Sequence, residues 1–221
     1  WYIAKGNLSY NHYLKNANYC DIHLILADGC KMTIEVTGNN ALYAMGQGRN
    51  LTIYGQKEGT GSIFAKLKGN TDYRCIRSDG NLVINGGQFT VTVGDEGLSA
   101  YNGLVINGGT IKAECTAGLY CSGKIVINGG TIETNCKKYG ILSSNGDIVI
   151  NGGTVNAYGA SNGIYAQSNV IIKGGKVDAD GRSGIYSNNG NITLGWTELT
   201  DYIKASNYSM VKIAAGQYFL I

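Results

Sequence analysis

One eight-residue phrase recurs through this chain: LVINGGQF (82–89), LVINGGTI (104–111), IVINGGTI (125–132), IVINGGTV (148–155) and VIIKGGKV (170–177). Its Gly-Gly pairs begin at positions 86, 108, 129, 152 and 174, at intervals of 22, 21, 23 and 22 residues. A sustained period near 22 without helical spacing of apolar residues describes a solenoid, in which one turn is one structural unit. Each unit divides into three short runs. In residues 104–124 they are LVIN, TIKAEC and GLYCS, separated by Gly and small polar residues. Apolar residues alternate within each run, as in strands with one buried face.

Aligning the units on this period sorts residues into columns. In the first strand, Leu82, Leu104, Ile125, Ile148 and Val170 form one inward column and Ile84, Ile106, Ile127, Ile150 and Ile172 another. The column between them becomes Thr52 and Thr193 in the flanking copies, so it points outward. The second strand turns Phe89, Ile111, Ile132, Val155 and Val177 inward, followed by Val91, Ala113, Thr134, Ala157 and Ala179. The third turns in Leu98, Leu119, Ile141, Ile164 and Ile185, then the small set Ala100, Cys121, Ser143, Ala166 and Ser187. Large beside small lets three sheets close on a narrow core.

The expected architecture is therefore an all-β, right-handed parallel β-helix with three strands per coil. The handedness follows from the general rule for parallel strand connections. Flanking copies extend the array: an early coil with HLILADG and ALYAM, a longer one from LTIYG through CIRSDG, and a last one from ITLGW onward. The expectation is about eight coils over residues 22–221, roughly 40 Å at ~4.8 Å per coil. Residues 1–21, containing the less regular WYIAKGNLSYNHYL, read as a cap or first partial coil, since an open strand edge invites association.

Composition narrows the function classes. With 34 Gly, no Pro and only 15% charged residues, the chain is neither a disordered linker nor a charge-expanded tail. No apolar run approaches the ~20 residues of a membrane span, so no membrane insertion is expected. The net charge of +3 is small and its Lys and Arg residues are scattered, which argues against a nucleic-acid partner. The start at Trp1 and the apolar end QYFLI read as cuts from a longer protein, with any export signal outside this segment.

The recurring INGG has neither GxGxxG nor GK[ST] spacing and no following helix, so it reads as a corner rather than a phosphate loop. Asn85, Asn107, Asn128 and Asn151 tolerate left-handed geometry and, stacked one per coil, are expected to form an amide ladder that Lys173 ends. The six cysteines contain no CxxC pair. Cys115 and Cys136 fall in one inward column beside Val93 and Gly159; they are near enough for a disulfide, and the favoured reading is two buried thiols. His12 and His23 lie in the N-terminal part, and no His neighbours a Cys in sequence, which gives no support to thiol catalysis.

Two outward faces have chemistry. The third-strand column reads Tyr43, Arg77, Ser99, Tyr120, Leu142, Tyr165, Tyr186 and, in the last coil, Lys204. Beside it run Asp79, Tyr101, Ser122, Ser144, Gln167 and Asn188. Aromatic rings at coil spacing suit sugar rings, and hydroxyls and amides suit their edges, although Tyr is also simply a good outward strand residue. The candidate carbohydrate contacts are Tyr120, Tyr165 and Tyr186, supported by Arg77, Gln167 and Asn188. On the second-strand face, Glu133, Asp178 and Asp180 with Glu114 form an acidic field that Lys112 and Lys176 interrupt. Oxygen clusters of this kind bind Ca²⁺, and opposed carboxylates hydrolyse glycosides, so Glu133, Asp178 and Asp180 are the metal or acid candidates. Proton abstraction from a uronic sugar would also want a basic residue beside these acids, and none is singled out.

The run HLILADG, LTIYGQKEGTGSI, repeated [IL]VINGGT[IV] with G[IL]xA/S, and VKIAAGQ resembles the pectate-lyase-like β-helix surface proteins of gut and other anaerobic bacteria, a carbohydrate-binding or adhesin-like group. The resemblance spans nearly the whole chain. It implies a cell-surface location, further domains in the parent protein and a polysaccharide or host or plant glycan as partner. No stretch matches the acid pairs of polygalacturonases or the calcium site and basic residue of pectate lyases. The expected function is a non-catalytic, extracellular carbohydrate-binding or adhesion module that requires no cofactor. Its rivals are a polysaccharide lyase or hydrolase and a purely structural stalk.

Overall fold

The structure, a computed structural model, describes residues 1–69, 72–206 and, for the backbone only, 211–213. Within it the chain is a parallel β-helix of three sheets. The first sheet has ten strands, from Tyr2–Ala4 to Val211–Ile213. The second has nine, from Asn7–Tyr10 to Tyr202–Ala205, and the third has eight, from Leu14–Lys15 to Ser183–Ser187. Each strand pairs with its counterpart one coil away, so Leu82 faces Leu104, Phe89 faces Ile111 and Leu98 faces Leu119. Nine turns result rather than eight, because residues 1–21 wind as a coil of their own, with strands in all three sheets. Most of VKIAAGQ and all of QYFLI lie outside the described residues.

The columns read from the sequence form the core. Leu82, Ile84, Leu104, Ile106, Ile125, Ile127, Ile148 and Ile150 are fully buried, as are Leu98, Leu119, Ile141, Ile164 and Ile185. Burying each such side chain contributes about 1.5–3 kcal/mol relative to leaving it in water. The buried hydroxyls have partners: Ser78 Oγ donates to Arg49 O at 2.7 Å, Ser143 Oγ to Gly123 O at 2.7 Å and Ser187 Oγ to Ser168 O at 2.6 Å. These three serines enter the core where they close a neighbouring turn, and Thr134 Oγ1 donates instead to the strand carbonyl of Tyr158 at 3.3 Å.

The INGG corner depends on its second glycine. Gly109, Gly130, Gly153 and Gly175 have φ between +90° and +96°. A Cβ on Gly130 would stand 2.7 Å from Gly109 O in the coil below, so the stacking leaves no room for a side chain. The adjacent asparagines are outside the left-handed region; their role is lateral. Asn107 Nδ2 donates to Asn85 Oδ1, Asn128 to Asn107 and Asn151 to Asn128, each at 2.7 Å. A second Asx stack closes the third sheet onto the first. Asp21 accepts from Asn50 and Asn50 from Asn81. Farther along, Asp147 accepts from Asn169 and Asn169 from Asn191.

Two column assignments change. Lys204 is not in the third sheet: Tyr202–Ala205 pairs with Lys176–Asp180 in the second sheet, which sets Lys204 opposite Asp178. Val93 does not point inward. It is 44% exposed and left-handed at φ +57°, a rare conformation for a β-branched residue. Cys75, from two coils earlier, instead lies beside Cys115. All six cysteines are free thiols. The Cys115 Sγ bonds to Val91 O and the Cys136 Sγ to Ala113 O. Burial pushes Cys121 and Cys136 up to about 11, and the Cys75 contact together with burial pushes Cys115 higher still. These thiols stay protonated and unreactive at neutral pH.

Candidate functional site

The second-sheet acids do not converge. Glu133 and Asp178 share a column but lie two coils apart, with Asn156 between them. Glu133 pairs with Lys112 at 2.9 Å, and Asp178 with Lys204 at 2.9 Å. Asp180 is opposite Tyr158, and its Oδ1 accepts from Gly181 N. Among the described residues no group of three or more His, Cys, Asp or Glu side chains is gathered as a metal would need. The face is an ordinary cross-coil ion-pair surface.

The third sheet differs. Its outward column runs Tyr43, Arg77, Ser99, Tyr120, Leu142, Tyr165 and Tyr186 in adjacent register. At the far end Tyr139, Tyr165 and Tyr186 form an aromatic ladder. Tyr165 and Tyr186 stack with centroids 5.5 Å apart and planes 13° from parallel, and Tyr139 lies 5.5 Å from Tyr165. Tyr165 is thus flanked by a ring on each side, and its hydroxyl donates to Gln167 Oε1 at 3.2 Å. Asn188 Nδ2 reaches Asn189 Oδ1 at 3.1 Å on the same strip.

At the near end the column is organised by ion pairs. Asp79 accepts from the Tyr43 hydroxyl at 2.6 Å, from Gly46 N at 2.9 Å and from Arg77 Nε at 2.9 Å. Burial raises the Asp79 pKa, but these donors outweigh it and hold the carboxyl below its ordinary range. Burial and the Asp79 bond push Tyr43 up to about 12, which keeps it a hydroxyl donor. The Arg77 guanidinium also lies 5.0 Å from the centre of the Tyr43 ring.

Between these ends, Ser99 is the smallest residue in the column, and the surface sinks there. A notch of about 230 Å³ opens between Arg77 and Tyr120, lined also by Arg74, Glu96, Tyr101 and Ser122. Its floor is charged. Glu96 is only 6% exposed and accepts from Arg74 Nε at 2.9 Å and from Ser99 Oγ at 2.5 Å. Tyr101 stands at its rim, 64% exposed. The Tyr120 hydroxyl is fixed 3.2 Å from both Ser122 Oγ and Ser144 Oγ.

Of the six candidate contacts, Tyr120 and Arg77 border this notch, while Tyr165, Tyr186, Gln167 and Asn188 lie farther along the same face. Arg74 and Glu96 were missed by the sequence reading. They precede the glycine position of the third strand, a place filled elsewhere by Ala117, Tyr139, Asn162 and Ser183. That column has no common character, and the one signal was an Arg and a Glu at matching positions of successive coils.

Among the described residues no helix is long and apolar enough to cross a membrane. A family model described as a carbohydrate-binding domain-containing protein matches the chain over residues 16–117 and again over 112–202. Comparison with curated proteins and with solved structures gave no match. The two matched segments cover most of the solenoid, and the chain belongs to the family of carbohydrate-binding domain-containing proteins.

Proposed function

We propose that this β-helix is a non-catalytic, extracellular module that binds a polysaccharide or glycan along the outer face of its third sheet and serves adhesion or substrate capture. The observation that supports this reading is the strip of tyrosines, amides and hydroxyls on that face, interrupted in its outward column by Leu142, in a chain of a carbohydrate-binding family. Tyr120, Tyr165 and Tyr186 are the aromatic contacts, and Arg77, Gln167 and Asn188 bond sugar hydroxyls. Because the Tyr165 and Tyr186 rings stack on each other, they meet a glycan partly through edges and hydroxyls. Such contacts orient a chain as well as bury it. The coil repeat then allows several sugars of one polymer to bind in succession, which suits a parent surface protein with further domains.

A screen of immobilised glycans and soluble polysaccharides tests this reading. Wild type should bind at least one polymer, and a Tyr165→Ala/Tyr186→Ala variant should bind it more weakly. Unchanged binding by that variant would remove these two residues from the contact face, and binding to no polymer would reject the function.

A further inference from the structure

The notch at Ser99 differs from the rest of the strip in being concave, in having a buried charged floor and in lying beside a strained backbone. Drug-sized pockets span ~300–1,000 Å³, so a space of about 230 Å³ suits one sugar residue rather than an oligosaccharide. Each of its two arginines is paired, one within the notch and one just beside it. Arg74 is offset by Glu96, and Arg77 by Asp79. Asp95 adds a further negative charge 4.0 Å from Arg74. An acidic sugar would meet no net positive field here. A neutral one finds guanidinium donors beside carboxylate acceptors, both held in place before it arrives. A sugar hydroxyl both donates and accepts, and vicinal hydroxyls match such fixed pairs. The exposed Tyr101 ring and the anchored Tyr120 ring supply apolar contact for the sugar's C–H face. The strained Val93 begins the turn that delivers Asp95 and Glu96, and strain of this kind is kept where the neighbouring geometry matters.

We propose that this notch is the anchoring subsite of the binding face and holds a single neutral pyranose residue. The inference rests on the carbohydrate-binding reading above and adds the place and the sugar class. It is tested by titrating the intact chain with neutral glucan, mannan, galactan and xylan and with the uronate polymers pectate and alginate. Ser99→Tyr fills the notch with a side chain that the next coil already carries in the same column. It should weaken binding to a neutral polymer about tenfold or more. Tyr101→Ala, at an exposed position where folding is not at stake, should weaken it about fivefold. Tyr101→Ala should keep the wild-type melting temperature within a few degrees, whereas Ser99→Tyr removes a donor to the buried Glu96 and should lower it, so Tyr101→Ala is the variant that separates binding from folding. Binding to a neutral polymer that both variants retain in full would overturn the notch while leaving the binding face standing. Binding to uronate polymers alone would overturn the sugar class. Binding to none of the polymers would overturn the subsite together with the function it rests on.

Discussion

The INGG corner and the outer face of the third sheet receive the same backbone path once per coil, yet they use it in opposite ways. At the corner, Asn85, Asn107, Asn128 and Asn151 donate to and accept from one another, so the repeated group is satisfied by its own copies. On the third sheet the corresponding column passes from Tyr43 through Arg77 and Ser99 to Tyr120, and no residue there could satisfy itself by repetition. Its polar groups are held instead by specific partners such as Asp79 and Glu96, which leaves a depression at the smallest member. In a solenoid, then, repetition marks the frame, and variation at a fixed register marks the surface where recognition can lie.

This contrast can be broken from either side. The largest effect is expected at the corner. Gly130→Ala forces a side chain into φ +90°, with its Cβ 2.7 Å from Gly109 O. Strain alone is worth ~1–3 kcal/mol, and with the backbone clash the loss should reach about 3 kcal/mol in denaturant unfolding. Gly129→Ala, outside the left-handed region and 3.2 Å from Asn107 O, should cost much less. If the two cost the same, the corner does not depend on its second glycine.

On the variable face, Arg74→Ala leaves the buried Glu96 carboxylate without its cation. The expected loss is about 2 kcal/mol, below the ~3–5 of a fully buried pair because Arg74 stays partly exposed. Asn128→Ala removes two rungs of an exposed ladder and should cost about 1 kcal/mol. A larger loss for Asn128→Ala than for Arg74→Ala would reverse the assignment of rigid frame and pre-set site.

The smallest effect is a pH dependence. Asp79 has a folded pKa below its ordinary 3.8, so it contributes stability that is fully present above pH 3.8. That contribution disappears as pH falls through the lower folded value. Thermal unfolding from pH 5 downward should therefore show an acid loss that Asp79→Asn reduces. An identical acid loss in the variant would mean that the Tyr43–Asp79–Arg77 cluster does not stabilise the charged form.

The difference between frame and site also explains what could be read from the sequence. Period and alternation fix the inward columns of the regular coils because burial demands apolar or small residues there in each coil, and the asparagine column is legible for the same reason. The reading failed where the period is disturbed. Between Leu194 and Tyr202 the last coil replaces the Gly-Gly marker with GWTELTD, so the period no longer shows that Lys204 belongs to the second sheet. At Val93 the chain leaves the column through a left-handed turn, and Cys75 takes the place beside Cys115. The notch was hidden for a different reason. Its Arg74–Glu96 pair exists only between coils, and the small size of Ser99 matters only because Arg77 and Tyr120 rise beside it.

The most direct test of the account is to map backbone amide shifts of the isotope-labelled chain during titration with a neutral oligosaccharide cut from the polymer that binds best. The largest shifts are expected at Ser99, Tyr101, Tyr120 and Ser122, smaller ones toward Tyr165 and Tyr186, and none at Asn107 or Asn128. Shifts centred on the asparagine corner or on the second-sheet acids would contradict it.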